Sequence, residues 1–229
     1  SLGMPLGTLG YWLLTGSSAG GGHEGLWPAI RGSITFATSG ALLTSVLAIP
    51  LVLLAVRQRS QWAQAAERLP YIVHGLPGVV VALALVFLSL RLVPGIYQSL
   101  LVLLVAYAIL YLPLAQSSLR GSIELLPHQI EAVARSLGKR PVQVFFSIVL
   151  PNIAPGIAAA LALMALQMVR ELTATLMLAP TGATTLATEV WSYTNDGEYA
   201  AAAPFAAMLV VLSIAPVWVF ARRMLHPTR

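Results

Sequence analysis

Glu131-Ala132-Val133-Ala134-Arg135-Ser136-Leu137-Gly138 is followed, after nine residues, by Ile148-Val149-Leu150-Pro151. Between Arg120 and Pro151 the chain also carries Glu124, His128, Lys139 and Arg140, a polar break in a very apolar sequence. A membrane chain that keeps its charges for one loop uses that loop to meet something in the water. Pro127 suits a first helical position, where its missing N–H costs nothing, and Gly138 suits the left-handed residue that ends a helix. A short helix from about His128 to Leu137 follows. Its Ile130, Val133, Ala134 and Leu137 fall at i, i+3, i+4 and i+7 and make one apolar stripe, with Gln129, Glu131, Arg135 and Ser136 off it. Pro141 starts a second helix that runs through Phe145, Phe146 and Ile148 to Leu150-Pro151, where the chain enters the membrane.

The surrounding composition is that of an integral membrane protein: 58% hydrophobic, 9% charged and mean hydropathy +0.82, where a soluble domain carries roughly 25% charge. A formal charge of +5 would raise nucleic acid in a soluble protein. Here the basic residues sit at the ends of apolar runs, so they mark topology instead. With no cysteine, disulfides and thiolate metal sites are excluded, and His23, His74, His128 and His226 have no zinc-site spacing.

Charge-free windows give five expected spans: Arg31 to Arg57, Arg68 to Arg91, a third after Pro94-Gly95 ending at Arg120, a fourth from Pro151 to Arg170, and Pro204 to Phe220. With the 120–151 loop in the cytoplasm, Arg57, Arg59, Arg68, Arg120, Arg135, Lys139, Arg140, Arg222, Arg223 and Arg229 all lie inside. Only Arg31, Arg91 and Arg170 remain outside. This obeys the positive-inside bias, with the N-terminus outside and the C-terminus cytoplasmic. Residues 1–30 read as the tail of a preceding helix and an outer loop, and 31–229 as the membrane domain. Leu172 to Tyr199, broken at Pro180-Thr181-Gly182, reads as an outer loop with a re-entrant piece, Thr175 to Ala179.

Gly138 and Ile148-Val149-Leu150-Pro151 resemble the cytoplasmic loop of ATP-binding-cassette importer permeases, a Glu-Ala-Ala motif with a Gly and then Ile-x-Leu-Pro. The resemblance covers all five spans and implies the all-α type I importer fold with a coupling helix between the third and fourth. Such a helix fits a groove in a cytoplasmic ATPase, which implicates Glu131, Ala132, Val133, Arg135, Ser136, Gly138, Leu150 and Pro151 in coupling. One departure stands out: the usual Glu lies six residues before the Gly, where this chain has Ala132, with Glu131 one residue earlier. A one-residue shift turns a side chain by about 100° around a helix.

No Gly-x-x-x-x-Gly-Lys-Ser/Thr run is present, so ATP and Mg belong to the partner ATPase dimer and this chain binds no cofactor or metal. An intramembrane enzyme is the alternative class, but no His-Glu-x-x-His supports it. Candidates for the translocation pathway are His74 and Pro77, where the second span is expected to kink, and Arg170 and Glu171 at the end of the fourth. The runs Glu171 to Leu178, Pro180-Thr181-Gly182 and His74-Gly75-Leu76-Pro77-Gly78 resemble segments of iron(III) importer permeases. Permeases for thiamine, phosphonate, polyamine, and sulfate or molybdate are the alternatives. The resemblance further implies a periplasmic or lipoprotein substrate-binding protein, a bacterial inner-membrane location, and a second permease half, fused or separate. In fused permeases this chain would correspond to the second half.

Overall fold

The computed structural model describes residues 3–15, 25–58 and 61–225, with side chains except those of Thr15, His128 and 215–225. Among these residues all regular structure is helical. Helix α1 (Gly3–Thr15) is followed by α2 (Leu26–Arg57), a 32-residue helix that stays continuous through Pro50. Helix α5 (Leu100–Glu124) starts at Ser99, whose hydroxyl accepts from Val102 N at 3.5 Å. With α8 (Leu150–Val169) it packs on α2 to form the centre of the molecule. Lipid tails are as apolar as leucine, so burial gives little drive in a bilayer and helix association relies on close contact between small residues. Ala37, Ala41 and Ala48 on α2, Ala106 and Ala115 on α5 and Ala160 on α8 supply it, all buried. At Gly156 an added Cβ would lie 2.0 Å from Ser122 Oγ. The backbones of α8 and α5 therefore meet at a distance only glycine permits.

Among the described residues, three helical segments are by length and apolarity able to cross a membrane: α2, α5 and Pro141–Val169. The expected second span is two helices, α3 (Gln61–His74) and α4 (Gly78–Leu92), bent by 105° to one another. A kink at Pro77 was expected, and the structure has a full break instead. Pro77 is extended (φ −58°, ψ 139°) and stands at the N-cap of α4. Its ring disfavours a helical Leu76, and it has no N–H to carry the hydrogen-bond ladder through. The remaining expected span lies in α11 (Tyr199–Leu225), a helix of 27 residues.

The fourth span also differs from expectation, because Pro151 lies inside its helix rather than at its start. Helix α7 (Pro141–Val144) leads into one wide turn, Phe145–Val149, in which Leu150 N–H donates to Phe145 O, and continues as α8. The widened turn gives the Pro151 ring room where a tight ladder would clash with the preceding carbonyls. Between Leu172 and Tyr199 the chain is more regular than a loop: α9 (Thr173–Leu178) and α10 (Leu186–Asn195) flank a turn at Gly182 with φ +80°. Helix α10 is fastened to α2 by Leu186 N–H, which donates to buried Ser33 Oγ at 2.8 Å. A small core of Ala29, Ile30, Leu186 and Phe205 covers that junction.

Candidate functional site

Helix α6 (His128–Ser136) lies between α5 and α7 and begins after Pro127, which is its N-cap rather than its first helical residue. Its end is a paired cap: Gly138 N–H donates to Arg135 O at 3.0 Å and Lys139 N–H to Ala134 O at 3.2 Å, with Gly138 at φ +85°. This is the left-handed turn expected of Gly138, and any side chain there would be strained. Gln143 Oε1 accepts from Arg140 N–H at 2.9 Å and Lys139 Nζ donates to Ser147 Oγ at 3.2 Å, which ties the turn to α7.

The apolar stripe of α6 mostly faces away from its own bundle. Val133 is 57% and Leu137 78% exposed, Ile130 is partly so, and of the four only Ala134 is buried. Ala132, Arg135 and Ser136 are exposed as well. Glu131 is turned inward: its carboxylate lies 2.6 Å from Arg57 Nη2 at the end of α2, with both side chains about 15% exposed. Arg57 also donates through both Nη atoms to Leu126 O, at 3.2 and 3.3 Å. Sequence reasoning took Arg57 only as a topological charge. Its pairing could not be read from the sequence, since 74 positions separate the partners and no local pattern joins them.

Beside this contact, a cavity of ≈ 1040 Å3 opens between α2, α3 and α5. Its polar wall includes Glu67, Arg68, Arg120 and Glu124. Arg120 bridges buried Glu67 at 2.5 Å and Glu124 at 2.7 Å, so the middle of α3 and the end of α5 are joined by charge.

Of the pathway candidates, His74 and Glu171 lie on the α5 wall at adjacent positions. His74 Nδ1 is 2.8 Å from Leu110 O, so that nitrogen carries the proton. Glu171 accepts from Tyr111 Oη at 3.0 Å and from Ala174 N–H at 2.9 Å, which joins α5 to the first turn of α9. The position of a Cβ on Gly78, next to Pro77, is 3.9 Å from Glu171 Oε1, so the α3–α4 break faces this carboxylate. Arg170 does not join them; it is exposed and donates to Gln167 at 3.1 Å.

Tyr107, Tyr111 and Thr175 also belong to the cluster and were missed. Thr175 Oγ1 gives its single proton to Glu171 O at 2.8 Å, so Tyr107 must be the donor across the 2.7 Å contact to Thr175. Tyr107 and Tyr111, four residues apart on one face of α5, were the available signal. Among the described residues, no three His, Cys, Asp or Glu side chains converge as a metal site.

Comparisons place this geometry among transport proteins. The chain is 46% identical over 220 residues to the Fe(3+)-transport system permease protein FbpB 2 of Haemophilus influenzae, covering 95% of this chain and 44% of that protein. It thus spans less than half the length of that relative. It is 30% identical over 199 residues to a putative 2-aminoethylphosphonate transport system permease protein, PhnV, of Salmonella typhimurium, covering 84% of this chain and 72% of that one. The fold is similar to a chain of the MetNI methionine ABC transporter in an inward-facing conformation, with TM-score 0.67 at 16% identity, covering 90% of this chain and 95% of that chain. Residues 40–224 match the model of the binding-protein-dependent transport system inner membrane component, and the chain belongs to that family.

Proposed function

We propose that this chain is the permease part of an ATP-driven importer for iron(III), and that α6 is the helix through which a cytoplasmic ATPase dimer drives it. The observation that carries the reading is the outward apolar stripe of α6, with Val133 and Leu137 exposed on a helix whose end is fixed by the Gly138 cap. A helix resting on its own bundle would bury that stripe. A short amphipathic helix with its apolar face free is the form taken by helices that lie in a partner's groove. ATP and Mg belong to the ATPase, since this chain has no phosphate-binding loop.

Residues 31–229 form the membrane domain and 120–151 its coupling loop, which faces the cytoplasm, with the far end outside. A periplasmic or lipoprotein binding protein delivers substrate there, and a second permease half, fused or separate, completes the pathway. His74, Pro77 and Glu171 stand beside that pathway, where the break between α3 and α4 gives the wall a movable corner. Iron(III) as substrate draws on the 46% identity to the Fe(3+) relative, against 30% to the phosphonate one.

Uptake of radiolabelled iron(III) by cells carrying the intact system tests this reading, with 2-aminoethylphosphonate and molybdate as competitors. Iron uptake that neither competitor reduces is the expected result. Competition by either would transfer the assignment to that substrate. Gly138→Val, which forces a β-branched residue to φ +85°, is expected to abolish uptake while leaving the amount of chain in the membrane unchanged. Normal uptake by that variant would remove α6 from the coupling role.

A further inference from the structure

Helix α6 is open on one side and fastened on the other, and a charged pair is prominent in the fastening. Ala134 is the one fully buried apolar residue of its described stripe, with Ile130 and Val133 half-covered, so the apolar grip on the bundle is small. Against this stands a guanidinium that holds two points of the chain at once. Arg57 takes Leu126 O just before the Pro127 that opens α6, and Glu131 in the first turn. Both side chains are largely removed from water, at 14% and 15% exposure, so this is not a solvated surface pair of small effect. Both Nη atoms donate to Leu126 O while Nη2 pairs with the Glu131 carboxylate by charge, a two-point hold that the single nitrogen of a lysine does not reproduce.

The register of the acid completes the argument. A carboxylate at position 132 would sit about 100° further round α6, on the exposed side where Ala132 stands. At 131 it looks inward to the end of α2. We infer that Arg57 and Glu131 form an internal strut that makes α6 move with α2, and that Glu131 is a positioning residue rather than a contact to the ATPase. The inference rests on α6 being the coupling helix. It adds the path by which motion leaves α6: directly into the first long helix, besides the chain connection through α7 into α8.

The test uses the full chain in lipid nanodiscs and then in its intact transport complex. Hydrogen exchange of the α6 amides is followed in the wild type, Glu131→Gln, Arg57→Lys and the reversed pair Arg57→Glu with Glu131→Arg. Each single variant is expected to speed α6 exchange by ~tenfold or more while leaving α10 unchanged. The reversed pair should regain part of the protection, since it restores the ion pair but not the bonds to Leu126. In the complex, both single variants should keep the ATPase bound and lower the amount of iron(III) moved per ATP hydrolysed. Unchanged α6 exchange in both single variants would overturn the strut. So would loss of ATPase binding in Glu131→Gln alone, which would make that carboxylate a partner contact. A wild-type chain that recruits no ATPase would end the coupling reading, while the exchange measurement would still decide the strut.

Discussion

Glu171 shows what one carboxylate does when three helices converge on it. It accepts hydrogen bonds from Tyr111 and from the backbone of α9 and lies beside the start of α4. Tyr111→Phe removes one of these donors and leaves the ring in place. Hydrogen bonds between membrane helices contribute about 0.6 to 1.7 kcal/mol, so a lower unfolding midpoint in detergent, by a few degrees, is the expected result. An unchanged midpoint would mean that another donor replaces the phenol. Glu171 was legible in the sequence as an ionisable residue beside a span, and Arg170 beside it looked equivalent. Their separation, one inside the cluster and one exposed, depends on the turn between α8 and α9, and no pattern in the sequence specifies that turn. Glu131 teaches the same lesson in reverse. Its one-residue shift is visible in the sequence, but what the shift accomplishes appears only once the end of α2 is beside it.

Helices were more legible than side chains. The charge-free windows locate α2 and α5 because nothing competes with apolarity over that length, and the Gly138 turn follows from a conformation that glycine alone adopts cheaply. Two of the misjudged features, Pro77 and Pro151, are prolines, whose local effect depends on their surroundings. Pro50 leaves α2 continuous, Pro77 ends a helix, and Pro151 is absorbed by a widened turn. Contact between α5 and α8 gives a test of packing at this level. Gly156→Ala puts a methyl group onto Ser122, whose Cβ as well as its hydroxyl lies too close, at 2.6 and 2.0 Å. Overpacking of this kind costs about 1–3 kcal/mol. Ser122→Gly should recover part of that loss, and a thermal melt of the double variant checks it. No recovery would mean that the helices resist separation elsewhere.

At the centre of the described residues α2, α5 and α8 pack together, with the loop that carries α6 at one end and α9 with α10 toward the other. Its proposed orientation is directly measurable, since the chain has no cysteine to interfere with labelling. Single cysteines at Arg135 and at Thr181 should react with a membrane-impermeant maleimide from opposite faces, Arg135 only in inverted vesicles and Thr181 in intact cells stripped of the outer membrane. The reverse pattern would turn the topology over and bring α6 out of reach of any cytoplasmic ATPase.

Helix α2 joins those two ends in a single piece. Its 32 residues rise about 48 Å, which is near the roughly 40–45 Å of a bilayer with its headgroups. Ser33 near one tip holds α10, and Arg57 at the other holds α6. A rod gripped at both tips behaves as a see-saw: tilting it about the central contacts with α5 and α8 displaces its ends in opposite directions. If α6 is the coupling helix proposed above, a push on it would reach the first turn of α10, at the opposite end of α2, through the helix itself.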